Sequence, residues 1–163
     1  MFTCTGVSQV FGGDLVTDKA YSLKIYLSNL WDYENKVKAA KRKVEQYDLT
    51  LGHLVTDYEN APRAKGGYHS TIENKIYKLE RLERIYNDAA EEYAVEFRER
   101  YMMINQLEDS MHRVILCDRY LLDKKIEKIM SETELCKSTV HRYINDAIEC
   151  LAQVVCYPEN IPR

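Results

Sequence analysis

Two long stretches of this chain place apolar residues at alternating steps of three and four, a spacing that few folds satisfy. In the first, Leu23, Tyr26, Leu30, Tyr33, Val37, Ala40, Val44, Tyr47 and Leu51 fall on one face of a helix. In the second, Ile72, Ile76, Leu79, Tyr86, Ala90, Tyr93, Phe97, Ile104, Leu107, Met111 and Val114 keep the same register, with Glu83 and Arg100 as its polar positions. A stripe of this period must be covered along its whole length. The spacing therefore predicts an all-α chain containing a long antiparallel helical hairpin, a coiled-coil-like stalk over 19–104. Any seam left over after the hairpin closes recruits a second chain, so a homodimer is expected, and two polar seam positions can fix register at some cost in stability.

The punctuation sets the boundaries. Residues 1–18 hold Gly6, Gly12 and Gly13 without a helical period and read as an irregular arm. Gly52, Pro62, Gly66 and Gly67 predict a loop over 52–70, ended by Ser70 and Glu73 as a capping box for the second helix. In that loop Tyr58, Tyr68 and His69 hint at a partner surface.

From Asn105 the pattern becomes compact. Leu107, Met111, Val114, Ile115 and Tyr120 mark one helix; Leu121 to Lys124 reads as a turn, with Asp123 best suited to an unusual backbone angle. Ile126, Ile129 and Met130 mark a short helix, Leu135 lies in the next turn, and Val140, Tyr143, Ile144, Ala147, Ile148 and Leu151 line a last helix. Two helices locked across a short turn make a helix-turn-helix over 105–157, followed by a tail, 158–163, with Pro158 and Pro162.

This C-terminal part resembles region 4 of the sigma-70 type initiation factors and the phage regulators that share that module. The resemblance is carried by Arg113-Val-Ile-Leu-x-x-Arg-Tyr120, Ile126-Glu-Lys-Ile129, Leu135, and Ser138-Thr-Val140 through Ala147 and Leu151. More broadly, Lys19 to Leu151 looks like phage and prophage proteins of Gram-positive bacteria related to the ArpU and RinA late-gene regulators, in which a segment like Ser70-Thr-Ile-Glu-Asn74 and Ile104-Asn-Gln-Leu107 precede the module. The resemblance implies a transcriptional role and a phage or prophage origin. Three positions depart from the family pattern: Glu134 stands at the turn glycine, Met130 at the small residue between the helices, and Cys136 at the serine that caps the recognition helix. A bulky Met130 widens the packing, and a thiol is a poor hydrogen-bond acceptor at an N-cap.

With Val140, Ile144 and Ile148 turned inward, Lys137, Ser138, Thr139, His141, Arg142 and Asn145 form the outer face of the last helix, the candidate reader of double-stranded DNA. Arg142 suits guanine, Asn145 adenine, and Ser138 or Thr139 either base or phosphate. Lys124, Lys125 and Lys128 are candidate backbone contacts. Charge argues the other way: 105–157 carries seven Lys or Arg against nine Asp or Glu, and the whole chain is at −3. The basic cluster Lys36, Lys38, Lys41, Arg42 and Lys43 reads first as a solvated coiled-coil face.

The five cysteines form no C-x-x-C pair and the four histidines are scattered, so neither zinc, another cofactor, nor a catalytic pair is indicated, and no enzyme is expected. Cys117 and Cys150 are expected to behave as small hydrophobes. No apolar run suits a membrane span and no leader is evident, so a reduced cytoplasm is the expected compartment. Two other functional classes stay open. One is a protein-interaction module, its stalk and loop binding RNA polymerase or another host protein and its helix-turn-helix not binding DNA; the other, ranked lower because the DNA module comes last, is a small phage packaging subunit.

Overall fold

The computed structural model describes residues 13–60 and 69–155, with the backbone alone for 13–17, 52–60 and 69–72. All regular structure among them is helical: α1 (Gly13–Ser28), α2 (Leu30–Asn60), α3 (His69–Ile104), α4 (Ser110–Leu116), a π-helical turn (Cys117–Leu121), α5 (Ile126–Thr133) and α6 (Lys137–Val154).

Several sequence expectations are corrected. Residues 13–18, expected as part of an irregular arm, are the first turns of α1; residues 1–12 lie outside the described part. The first long helix divides at Asn29, whose N–H still donates to the Ile25 carbonyl at 3.0 Å. The expected loop 52–70 is narrower, because α2 continues to Asn60 and α3 begins at His69. Gly52 does not stop α2, since one interior glycine costs only about 1 kcal/mol relative to alanine. Pro62, Gly66, Gly67, Tyr68 and the side chains of Tyr58, His69 and Ser70 lie outside what is described, as do Pro158 and Pro162. The second seam does not run on to Val114: α3 ends at Ile104, and Asp109 then starts α4, its Oδ1 accepting the Met111 N–H at 2.7 Å. A side-chain cap satisfies a donor that a continuous helix would have satisfied internally.

By contacts the chain divides into two units. One joins the chain up to Leu30 with the chain from Phe97; the other is Trp31–Glu96. In the first, α6 is the central element. Its buried face, Val140, Ile144, Ala147, Ile148, Leu151 and Ala152, is covered by α1, α4 and α5. Leu23, Leu27 and Leu30 from the α1 side, Ile104 and Leu107, Ile115 and Leu116, and Ile129 complete this core. A fully buried aliphatic side chain of this kind stabilises by about 1.5–3 kcal/mol, and these are enough to hold short helices that would not persist alone.

The inward line from α1 to the start of α2 is Leu23, Leu27, Leu30 rather than the expected Leu23, Tyr26, Leu30. Tyr26 is half-buried and turned to Arg100, whose guanidinium carbon lies 4.0 Å from its ring centre. The same guanidinium donates to the Tyr26 carbonyl from Nε at 3.1 Å and from a terminal nitrogen at 3.0 Å. That carbonyl belongs to the last turn of α1, where helix acceptors lack internal partners. Arg100, a polar position of the predicted seam, is thus 1% exposed and caps a helix end. Glu83, the other one, is exposed.

Within Trp31–Glu96, side chains of α2 and α3 meet at particular points. Lys78 Nζ sits 4.9 Å over the Tyr47 ring, and the Tyr93 phenol is raised above its usual pKa by burial, then by the Glu34 charge, with Lys38 opposing. Tyr33, Val37, Val44, Tyr47, Leu79, Tyr86, Ala90 and Tyr93 are half-buried, and among the described residues of this unit only Ala40 is fully so. Ile76, expected inside, is 47% exposed.

Candidate nucleic-acid interface

The lead-in to α6 is set by two left-handed residues. Asp123 (φ 46°) ends the turn after the π-helical segment, and Glu134 (φ 57°) ends α5. Asp123 is where the sequence placed the unusual angle, whereas at Glu134 a residue with a Cβ takes the left-handed conformation. Leu135 and Cys136 then join α5 to α6. The chain before α5 is tied by Asp118: its carbonyl accepts the Lys124 N–H at 2.9 Å and its carboxylate takes Lys124 Nζ at 2.8 Å. Arg119 adds a hydrogen bond to the Lys124 carbonyl at 3.1 Å. The edge of the His112 ring meets Tyr143, with centroids 5.6 Å apart, so that α4 braces α6.

Of the predicted site residues, Lys137, Ser138, His141, Arg142 and Asn145 are exposed and Thr139 is half-buried. Ser138, Arg142 and Asn145 follow at i, i+4 and i+7 and make one stripe opposite Val140, Ile144 and Ile148. The stripe continues to Glu149, with Asp146 beside it, both exposed; sequence reasoning passed over these two carboxylates. They confine any phosphate-facing surface to the first two turns of α6.

The three lysines before α6 are not equivalent. Lys124 lies between Asp118 and Glu132, the latter at 2.6 Å, and these two carboxylates, Asp118 foremost, hold its ammonium charged above the usual lysine range. Lys128 stands 4.0 Å from the same Glu132. Lys125, Lys137 and Arg142 make no ion pair among the described residues, which leaves them as the cations of this surface free to meet phosphate.

Cys136 occupies the N-cap of α6 without a side-chain cap bond. Its Sγ instead lies 3.2 Å from the Ser138 hydroxyl and 3.0 Å from that of Thr139, and these hydroxyls, Ser138 first, lower the thiol to about 7. Cys117 moves in the opposite direction, raised mainly by burial. Cys150, expected among apolar neighbours, is exposed, because it falls on the outer side of α6 one residue beyond Glu149.

The described residues contain no group of three His, Cys, Asp or Glu side chains able to hold a metal, and none of their helices is long and apolar enough to cross a membrane. An open groove between Tyr33 and Lys36 on one side and Asp88, Glu91, Glu92 and Glu96 on the other is acidic and unsuited to nucleic acid. Comparison with protein-family models, curated proteins and solved structures finds no match for this chain.

Proposed function

We propose that the chain is a DNA-binding transcriptional regulator of the phage type, with α5 and α6 acting as a sigma region 4-like helix-turn-helix and α6 as the reading helix. The observation that carries this reading is the outer stripe of α6: Ser138, Arg142 and Asn145 lie together, exposed, in the N-terminal half of a helix whose other face is locked into a core. A reading helix needs both properties, because base edges are met by its first turns while packing fixes its angle. Arg142 pairs with guanine and Asn145 with adenine; Lys125 and Lys137 hold phosphates. Lys124 and Lys128 contribute chiefly to the fold of the preceding turn. The stalk, read as an antiparallel hairpin from the contact of Lys78 with Tyr47 and the effect of the Glu34 charge on Tyr93, joins two copies.

In the direct test, sites are selected from random duplex DNA by the wild-type chain and affinities are then measured. Arg142→Ala is expected to cost about 1–3 kcal/mol and to relax base preference at one position, with an unchanged helical spectrum. Equal binding by wild type and by a Lys137, Arg142, Asn145 triple alanine variant would contradict the proposal.

A second reading is favoured by the two carboxylates Asp146 and Glu149 on that stripe and by the pairing of Lys124. On that reading the helical stalk binds RNA polymerase or another host protein and α6 does not read DNA. Retention of such a partner by the triple variant would support it.

A further inference from the structure

One side of α3 carries an exposed pattern that is its own complement, its acidic end bordering the open groove lined by Tyr33 and Lys36 of α2. Tyr77, Arg81, Arg84, Asp88, Glu91 and Val95 are all exposed and follow one another at alternating steps of four and three. They lie roughly opposite the half-buried line Leu79, Tyr86, Ala90 and Tyr93 that faces α2. Tyr77 and Val95, at 69% and 47% exposure, end the stripe. Eighteen residues apart, about five helical turns, they share one angular position. Between them come two arginines and then two carboxylates, so the charge changes sign at the middle of the stripe.

We propose that this face is a dimer interface, on which α3 pairs antiparallel with α3 of a second copy about a two-fold axis at the level of Tyr86. In that register Tyr77 meets Val95 of the partner subunit, Arg81 meets Glu91 of the partner subunit, and Arg84 meets Asp88 of the partner subunit. Symmetry repeats each pair. Ile85, 48% exposed beside Arg84, packs against Ile85 of the partner subunit. Four ion pairs and a central apolar contact arise from one helix face, as a closed two-fold interface requires.

The alternatives fail on charge. Parallel pairing of the same face sets Arg81 and Arg84 against themselves, and Asp88 and Glu91 likewise. The corresponding stripe of α2, Trp31, Asn35, Lys38, Arg42, Glu45 and Leu49, exposed except at the half-buried Asn35, has the same apolar ends. Paired antiparallel with its own copy, it would place Lys38 against Arg42 of the partner subunit twice. Like charges directly opposed across a helix seam are destabilising. The inference stands whether or not α6 reads DNA, and it supplies the second copy that recognition of paired half-sites needs.

Sedimentation of the full chain at low salt tests it. The wild type is expected at twice the chain mass of 19.2 kDa, shifting toward monomer as salt rises. Arg81→Glu with Arg84→Glu, and separately Asp88→Arg with Glu91→Arg, are each expected to give monomer with unchanged helical content. All four changes together restore the complementary order in reverse and are expected to restore the dimer. A monomeric wild type, a dimer indifferent to both double changes, or failure of the fourfold variant to pair would overturn the proposal.

Discussion

Glu134 is held at φ 57° between α5 and α6, a conformation that costs an L-residue about 1–2 kcal/mol and glycine almost nothing. Glu134→Gly is therefore expected to raise stability by about 0.5–1 kcal/mol after allowing for the entropy glycine adds to the unfolded chain, whereas Glu134→Val lowers it; thermal melting of the two variants checks the sign. Arg100 makes the opposite case, a costly residue well used. Arg100→Ala leaves the Tyr26 carbonyl at the end of α1 without its donors and opens a cavity, and a loss of about 3 kcal/mol is expected by denaturant titration. Arg100→Lys should not recover it, because an ammonium lacks the planar fork that both donates to the carbonyl and stacks on the ring. Cys136 sets a pH dependence. Its thiol is lowered from 9.0 to about 7 by the Ser138 and Thr139 hydroxyls, so the folded chain binds fewer protons than the unfolded chain between those values. The stability it contributes is present at the upper end of that range and is lost as pH falls through about 7. Alkylation by iodoacetamide should accordingly reach half its limiting rate near pH 7 at Cys136, and Ser138→Ala should move that midpoint upward.

At the scale of elements, α5 and α6 were legible because their apolar residues recur at helical spacing and because Asp123, in the turn before α5, suits an unusual angle; the second left-handed residue, Glu134, carried no such signal of its own. The break between α3 and α4 was not. Leu107, Met111 and Val114 keep the heptad step across it, yet Leu107 is buried in the turn while Met111 and Val114 face solvent. Periodicity survives a short break, and only the Asp109 side chain, as an N-cap, signals it in the sequence. The lysines before α6 were equally opaque. Three basic residues look alike in a sequence, but Lys124 is committed to Asp118, a carboxylate 8% exposed. Lys124→Ala should thus lower the melting temperature, since it strands that carboxylate. Lys125→Ala should leave melting unchanged and reduce the salt slope of DNA binding by about one.

For the whole molecule, the hydropathy pattern conveyed an all-helical chain but not which helices share a core. The packing of α1 on α6 joins segments more than a hundred residues apart, and no local signal in Leu23, Leu27 or Leu30 names α6 as their partner. The face of α6 was readable because burial of Val140, Ile144 and Ile148 fixes what remains outside; Asp146 and Glu149 were legible only as part of the segment's charge, because a sum does not say which face a carboxylate occupies. If α6 reads DNA as proposed, those two carboxylates limit affinity in a chain of net charge −3, so binding should be weak in monomer form and fall with salt at the shallow slope that few phosphate contacts set. Glu149→Gln is expected to strengthen it. The most direct measurement is titration of the purified chain against labelled duplex DNA from its own genomic neighbourhood, at two salt concentrations and with excess unrelated competitor. The predicted result is binding that resists competitor at low salt, weakens as salt rises and is weakened roughly ten- to a hundredfold further in Arg142→Ala; absence of binding even at low salt would contradict it and turn the search to protein partners of the stalk.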